Sequence, residues 1–195
     1  MDQSLNYDEL TDHVRQFLPL DKPWIIIAES FSGPIGLKIA SSHPKGLQGL
    51  ILCATFIKNP LPRCLYPIRF LIKPVLFKLK LPDFLMRHFL LGKDASKESL
   101  GRFRDTLTKI GAKVLADRVQ AIFKVDMTRE LILYDGPVLY LRATEDHLVT
   151  KKSLKMIQGI KPGIKVVSIR SPHLLFQTAP KDGAATIRSF LITAL

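Results

Sequence analysis

Cysteine is scarce in this sequence, and Cys53 and Cys64 are the two thiols among 195 residues. Two cysteines at this spacing form neither a disulfide framework nor a recognisable metal site. We expect both to be buried, unreactive thiols in a reducing cytoplasm. His and Cys residues do not cluster, and no glycine-rich phosphate loop follows the first predicted strand, so neither a metal nor a nucleotide cofactor is expected.

Acidic residues are also few, with 17 Asp and Glu against 29 Lys and Arg, which gives a formal net charge of +12. A charge of this size accelerates encounters with any polyanion. No recognised nucleic-acid-binding motif accompanies it, so no specific nucleic-acid partner is predicted. Most of these cations are interpreted as solvated surface.

A basic region followed by an apolar stretch would mark a secretory leader, and none is visible near the N-terminus. Internal repeats and low-complexity tracts are also missing. A chain of this length can bury one substantial core. We therefore expect a single domain over residues 1–195.

The most informative feature present is an apolar strand that stops abruptly at a serine. Residues 24–28 carry no polar side chain, which is typical of a parallel strand buried on both faces, and a helical pattern begins just after Ser30. A serine on such a sharp strand-to-helix turn is a nucleophile elbow. The turn requires small residues two positions away on either side, and Ala28 and Ser32 meet that requirement.

Two later strands also end in polar loops. A strand over residues 137–142 precedes Asp146, and a strand over residues 164–169 precedes His173. Because functional groups in open parallel sheets gather at the C-terminal ends of strands, we expect Ser30, Asp146 and His173 to converge. Their order along the chain is that of the α/β-hydrolases.

Two alternatives stay open at these positions. Glu145 adjoins Asp146, and adjacent carboxylates cannot be distinguished without geometry. We favour Asp146 because of its place in the loop and the family resemblance described next. His147 is also adjacent, but it precedes the third of these strands and suits the position of a general base less well than His173.

On these residues the chain resembles the α/β-hydrolase fold superfamily, of the bacterial serine esterase type, over nearly its whole length. The matching motifs are Ala-Glu-Ser-Phe-Ser-Gly at 28–33, Leu-Arg-Ala-Thr-Glu-Asp-His-Leu-Val at 141–149, and Ser-Pro-His-Leu-Leu-Phe-Gln-Thr-Ala-Pro at 171–180. The implied fold is a mostly parallel sheet flanked by helices.

The resemblance also implies a role for each site residue. Ser30 is the nucleophile, His173 the general base and then acid, and Asp146 the group that orients the imidazole. The backbone N–H of Phe31 is an oxyanion-hole donor. These roles suit the residue types, since a serine hydroxyl near neutral pH needs a neighbouring imidazole to take its proton.

The chain departs from the family before the elbow strand. In the family several strands precede this point, together with a loop whose His-Gly pair supplies a second oxyanion amide, whereas this sequence has an amphipathic helix over residues 5–18 and no His-Gly dipeptide. We expect an N-terminally truncated fold whose elbow strand is an open sheet edge. A weakly active shortened product, a fragment completed by another polypeptide, and a dimer pairing through this edge are the three interpretations.

Residues 57–133, inserted after another predicted strand over residues 47–54, differ in composition from the strand-forming parts. They begin with Pro60, Pro62, Pro67 and Pro74 and predict helices separated by proline breaks, including 97–110 and 113–124. The resemblance implies that this segment is a helical cap over the active site. Its apolar side chains are compatible with an apolar substrate pocket and equally with packing on the core.

Charged residues interrupt every apolar stretch of the cap that is long enough to cross a bilayer. The mixture of cations and bulky apolar groups instead suits contact with an anionic membrane surface or an acidic carrier protein. The sequence thus predicts a cofactor-free serine hydrolase that cleaves a carboxylic ester with an apolar acyl or alcohol group. The alternative is a non-catalytic relative that acts as a binding or interaction protein.

Overall fold

The computed structural model describes residues 6–194, and its centre is one parallel sheet of four strands. The strands are β1 (Trp24–Glu29), β2 (Leu47–Cys53), β3 (Val138–Ala143) and β4 (Lys165–Ile169). They lie in the order β1-β2-β3-β4, and each pairs in parallel with the next. The predicted α/β class and the predicted strands are confirmed, with bounds that differ by one or two residues.

Nine helices in this part of the chain accompany the sheet. They are α1 (Tyr7–Arg15), α2 (Gly33–Ala40), α3 (Asp83–Met86), α4 (Lys97–Thr108), α5 (Ala112–Lys124), α6 (Thr128–Leu133), α7 (Lys151–Ile160), α8 (Leu175–Thr178) and α9 (Pro180–Ala194). Helix α1 begins with a capping box in which Asn6 and Glu9 bond each other's backbone N–H groups. The predicted helix over 5–18 is shorter in the structure, and Leu5 lies outside the described residues.

The two central strands are apolar on both sides because helices cover both faces of the sheet. Leu50 and Leu52 of β2 face one core, which contains side chains of α1, α2, α6 and α7. Ile51 and Cys53 alternate with them and face a second core, which contains side chains of α8 and α9. This period of two explains why most residues of β2 and β3 are apolar.

Strand β1 lies at an edge of the described sheet, with β2 as its one partner there. Its inner face packs tightly on α2, since a Cβ added at Gly36 would lie 3.0 Å from the Cβ of Ala28. On the other face Ile27 is 49% exposed. The expectation that this strand is buried on both faces is therefore wrong at Ile27, although Ile25 on the same face packs against the second core.

The insertion between β2 and β3 is irregular at its start and helical later. Two 3₁₀ segments, Arg63–Phe70 and Pro74–Lys78, precede α3 and a π-helical turn at Arg87–Leu91. Pro62 directly precedes the first segment and Pro74 begins the second, as expected of proline breaks, whereas Pro67 lies inside the first. The helices predicted here are 3₁₀ segments in the structure. Helices α4 and α5 match the predicted 97–110 and 113–124 to within two residues.

The two ends of the insertion meet beside the sheet. The Met127 N–H donates to the carbonyl of Ile57 at 2.8 Å, and Lys58 forms an antiparallel bridge with Asp126. Helix α6 follows this junction, and its Leu131 is fully buried in the main core. The segment after the junction therefore packs with the sheet rather than with the rest of the cap.

The two thiols differ in exposure. Cys53 is fully buried at the end of β2, as expected. Cys64 is exposed, so the expectation of a buried thiol is wrong there, because the 3₁₀ segment that carries it lies on the surface of the cap. Within residues 6–194, none of the helices is long and apolar enough to cross a membrane.

Candidate active site

Ser30 lies at the sharp turn that the sequence predicts. It follows β1 directly, adopts φ +53°, and begins a 3₁₀ turn that leads into α2. A positive φ costs a residue other than glycine about 1 kcal/mol or more, so the surrounding packing must hold it. Gly33 belongs to that packing, because a Cβ at this position would lie 1.9 Å from Oγ1 of Thr55.

A hydrogen bond from Thr55, which in turn bonds Tyr140, holds the turn at Ser30. The Thr55 hydroxyl donates to the carbonyl of Ser30 at 2.5 Å. The Tyr140 hydroxyl in turn donates to the Thr55 carbonyl at 2.7 Å and accepts from the Thr55 N–H at 3.2 Å. Burial raises the pKa of Tyr140, so its hydroxyl stays protonated and able to donate. Neither residue was among the candidates from the sequence, although a tyrosine in an otherwise apolar strand needs a partner for its hydroxyl.

The structure brings Ser30, His173 and Asp146 together in one chain of hydrogen bonds. Oγ of Ser30 lies 2.6 Å from Nε2 of His173, and Nδ1 of His173 lies 2.7 Å from Oδ2 of Asp146. The imidazole and carboxylate side chains are only 4% and 1% exposed. Because an ionised carboxylate can only accept, Nδ1 carries the proton, and Nε2 accepts from the serine hydroxyl.

The two adjacent carboxylates have different surroundings. Oδ1 of Asp146 accepts the N–H groups of Leu148 and Val149 at 2.7 and 2.9 Å, so both of its oxygens are bonded. Glu145 points elsewhere and accepts from Nε of Arg170 at 2.8 Å, with 47% of its side chain exposed. The hydrogen bonds therefore distinguish the two carboxylates: Asp146, and not Glu145, is bonded to the imidazole of His173.

Backbone bonds hold the two loops beside each other beyond the strand ends. Thr144 N–H donates to the carbonyl of Ile169 at 2.9 Å, and Glu145 N–H donates to that of Ser171 at 3.0 Å. These bonds extend the pairing of β3 and β4 into the loops that carry Asp146 and His173. The convergence expected at the C-terminal edge of the sheet follows from this extension.

The loop after His173 has two further attachments. The Leu174 N–H donates to the carbonyl of Leu90 in the cap at 3.0 Å. The Phe176 N–H donates to Oε1 of Glu29, the residue before Ser30, at 3.2 Å. One loop therefore connects the sheet, the cap and the turn that carries the serine.

Phe31 occupies the position after Ser30, at the start of the turn. Its ring stacks on Tyr7 with centroids 4.8 Å apart, and the guanidinium of Arg118 lies 5.9 Å from the ring centre. The first N–H groups of a helix have no intrahelical partner, so the Phe31 amide is of the kind that can bind an anion. Contacts from α1 and α5 hold this residue in place.

His147 and Cys53 are not part of the hydrogen-bonded chain of Ser30, His173 and Asp146. His147 stacks on His88 of the cap, with ring centroids 4.5 Å apart and an interplanar angle of 7°. The Cys53 thiol donates to Oε1 of Glu29 at 3.8 Å, and burial raises its pKa, so it stays protonated. Among residues 6–194, no group of three or more His, Cys, Asp or Glu side chains could hold a metal ion.

No protein-family model matches the sequence, and neither does any curated protein. Solved structures do match the fold. An alpha/beta hydrolase enzyme from a Medee basin deep-sea metagenome library superposes with a TM-score of 0.71 and 16% identity, over 100% of this chain and 75% of that one. The chain has the α/β-hydrolase fold.

Two further solved structures with this fold match more closely. Bromoperoxidase from Bacillus anthracis superposes with a TM-score of 0.79 and 19% identity, over 98% of this chain and 76% of that one. A thermophilic esterase from Thermogutta terrifontis gives 0.79 and 19%, over 100% of this chain and 75% of that one. The resemblance to the α/β-hydrolase superfamily, predicted from three short motifs, is thereby confirmed at the level of the fold.

Proposed function

We propose that this protein is a serine hydrolase that cleaves carboxylic esters through an acyl-serine intermediate. The observation that supports the proposal is the continuous chain from Ser30 Oγ to His173 Nε2 and from His173 Nδ1 to Asp146 Oδ2, at 2.6 and 2.7 Å. The serine stands on a strained strand-to-helix turn, as the chemistry requires. A solved structure with this fold is an esterase.

Acylation begins when Oγ of Ser30 attacks the ester carbonyl carbon and Nε2 of His173 takes the hydroxyl proton. Asp146 stabilises the imidazolium that forms and keeps Nδ1 as its donor. When the tetrahedral intermediate collapses, its bond to the alcohol oxygen breaks, and the imidazolium gives its proton to that oxygen. The alcohol leaves, and the acyl group stays on Ser30.

Deacylation repeats these steps with water. His173 takes a proton from the water as its oxygen attacks the acyl carbon, and the second tetrahedral intermediate releases Oγ of Ser30. The proton returns from the imidazolium to the serine. The products are one carboxylic acid and one alcohol for each ester consumed.

The negative oxygen of each intermediate needs hydrogen-bond donors. We assign one, the backbone N–H of Phe31, and no second donor among the described residues. Removing one such donor from an oxyanion hole typically slows the reaction about 10²- to 10³-fold. We therefore propose that turnover is slow compared with hydrolases whose oxyanion hole has two donors.

The composition of the cap favours a substrate with an apolar acyl or alcohol group. Met86, Leu91 and Leu100 form a small apolar core of its own, and Leu174 packs against it directly beside His173. A substrate chain that enters next to the imidazole would meet Leu174, a partly buried member of this group. Such contacts favour medium-length acyl chains over short polar ones.

The test is hydrolysis of p-nitrophenyl butyrate by the purified chain, together with labelling by a fluorophosphonate. We expect Ser30→Ala to lose both turnover and labelling. Ser41→Ala, at the far end of α2, is the matched control and should retain both. Peptide mass mapping should place the phosphonate on Ser30.

The opposite result has a defined meaning. If folded wild-type protein and Ser30→Ala give the same background rate and neither is labelled, the hydrolase proposal is wrong. The absence of an assigned second oxyanion donor would then favour the alternative, a binding protein that uses the same architecture. Circular dichroism of both proteins establishes that each is folded.

A further inference from the structure

An exposed apolar surface covers the outer side of the cap, over residues 65–84, here named the cap patch. Five of its large side chains are each between 65% and 71% exposed, namely Phe70, Leu71, Val75, Leu79 and Phe84. Folded proteins seldom expose so many large apolar side chains within one short segment unless the segment contacts a partner or a membrane. We therefore expect the cap patch to contact a partner or a membrane.

The charge of this segment indicates which kind of occupant it fits. Residues 57–82 contain six Lys and Arg and no Asp or Glu. Arg69, Lys73, Lys78 and Lys80 are exposed among the apolar side chains. The first acid after this stretch is Asp83, which already forms an ion pair with Arg104. Apart from Asp83 near its end, the cap patch is thus both apolar and cationic.

The cap patch is held in place from its inner side. Nε2 of Gln120, on α5, donates to the carbonyls of Arg69 and Ile72 at 2.5 and 3.2 Å. The ring of Tyr66 packs edge-on against Phe123 of the same helix, with centroids 6.2 Å apart. The outward apolar side chains are therefore presented on an anchored segment.

We propose that the cap patch binds the surface of an anionic lipid bilayer. Apolar side chains enter the boundary between headgroups and acyl chains, while neighbouring lysines and arginines contact the anionic headgroups. A protein partner fits less well, since the cores of protein interfaces are depleted of lysine, and three lysines are interleaved with the apolar residues here.

Helix α5 links the cap patch to the residue that follows Ser30. Helix α5 contacts the segment through Gln120, and two positions earlier its Arg118 lies over Phe31. Side chains two positions apart point to nearly opposite sides of a helix, so α5 lies between the cap patch and Phe31. A bilayer under the cap patch would hold the protein beside lipid-soluble esters, a consequence that rests on the proposed hydrolase function, whereas binding to the bilayer does not.

The experiment is vesicle flotation with two lipid compositions, phosphatidylcholine alone and phosphatidylcholine with about one-third phosphatidylserine. We expect the wild-type chain and Ser30→Ala to float equally with the anionic vesicles and to remain unbound with the neutral ones. Binding should weaken as salt is raised, because the headgroup attraction is screened. A wild-type chain that does not bind the anionic vesicles would overturn the proposal.

Two triple variants separate the cap patch from net charge. Lys73→Gln/Lys78→Gln/Lys80→Gln should lower the affinity for anionic vesicles about 100-fold, since each cation near the surface contributes close to a factor of five. The matched control is Lys151→Gln/Lys152→Gln/Lys155→Gln on α7, which removes the same charge from three other exposed positions. Equal losses in the two variants would overturn the proposal, because net charge alone would then explain binding.

Two more measurements address the apolar part of the surface. Leu71→Ser/Val75→Ser/Leu79→Ser changes exposed side chains and should abolish flotation while leaving the circular dichroism spectrum intact. An environment-sensitive fluorophore on exposed Cys64 should shift to the blue with anionic vesicles, and buried Cys53 should stay unlabelled. A tight complex with an acidic acyl carrier protein, without vesicle binding, would instead make the cap patch a protein-docking site and overturn the proposal.

Discussion

Oε1 of Glu29 accepts the backbone N–H of Phe176 at 3.2 Å, and this bond joins the strand that carries the serine to the loop that carries the histidine. Glu29 directly precedes Ser30, and Phe176 comes three residues after His173. This bond therefore fixes the distance between the end of β1 and the segment that follows His173. We therefore expect Glu29 to position the hydrogen bond between the serine and the imidazole.

Replacing Glu29 by alanine should lower kcat for p-nitrophenyl butyrate about 10- to 100-fold with little change in KM, because small misplacements of reacting groups are costly. Glu29→Gln keeps a carbonyl oxygen for the Phe176 amide and should recover most of kcat. Steady-state kinetics on both variants test this. Equal losses of kcat in the two variants would show that the negative charge, rather than the bond, is what matters.

The adjacent carboxylates give a second prediction. Asp146→Asn should reduce kcat roughly 10⁴-fold, because an amide can donate to Nδ1 and so favours the wrong imidazole tautomer. Glu145→Gln is the matched control and should stay within about twofold, since an exposed ion pair contributes little. Rates measured on both variants decide which carboxylate acts on His173, and a reversed pattern would contradict the assignment.

Two buried tyrosines give a prediction about stability. The Tyr7 hydroxyl is buried without a hydrogen-bond partner among residues 6–194, whereas the Tyr140 hydroxyl bonds both backbone groups of Thr55. Tyr7→Phe should therefore raise the free energy of unfolding by about 1 kcal/mol, and Tyr140→Phe should lower it by about 1–3 kcal/mol. Urea denaturation of the two variants and the wild type measures both changes. A loss of stability in Tyr7→Phe would reveal a partner for that hydroxyl.

The cysteines give a prediction about accessibility and pH. Ellman's reagent at about pH 8 should react with one thiol in the native chain, Cys64, and with two after denaturation. Burial, together with Glu29, raises the pKa of Cys53 above its ordinary value of 9.0. The unfolded chain therefore releases this proton at a lower pH than the folded chain does.

The sign of the stability effect follows from that difference. The contribution of Cys53 is fully present below about pH 9 and is lost as the pH rises beyond it, because the unfolded state binds fewer protons there. The unfolding free energy of the wild type should thus decline more steeply above pH 9 than that of Cys53→Ala. Parallel pH profiles for the two proteins would contradict the burial of an ionisable thiol.

Much of the sheet and of the site could be predicted from local sequence patterns. Apolar runs that end in turns mark β2, β3 and β4, and the rule that functional groups gather at the C-terminal ends of parallel strands brings Ser30, Asp146 and His173 together. These predictions succeed because they depend only on which segments of the sequence form strands. The roles of the three residues remain a proposal that the kinetic experiments test.

Other features depend on tertiary neighbours that the sequence does not specify. Thr55 and Tyr140 are 85 positions apart and meet only because β2 and β3 are adjacent. Likewise, the exposure of Ile27 follows from the order of the strands, and the hydropathy of β1 alone predicts the opposite. The choice between Glu145 and Asp146 depends on how one loop folds, which a pair of adjacent acids cannot indicate.

The adjacency of β2 and β3 has a consequence for the order of folding. Residues 54–137 separate the two strands, so closing that loop costs entropy that short-range contacts do not. The unit from β1 to β2 is local in sequence and can form early, whereas we expect the strands that precede Asp146 and His173 to dock later. During synthesis the chain therefore displays Ser30 well before its imidazole partner exists, and the hydroxyl stays unactivated until the C-terminal strands join the sheet.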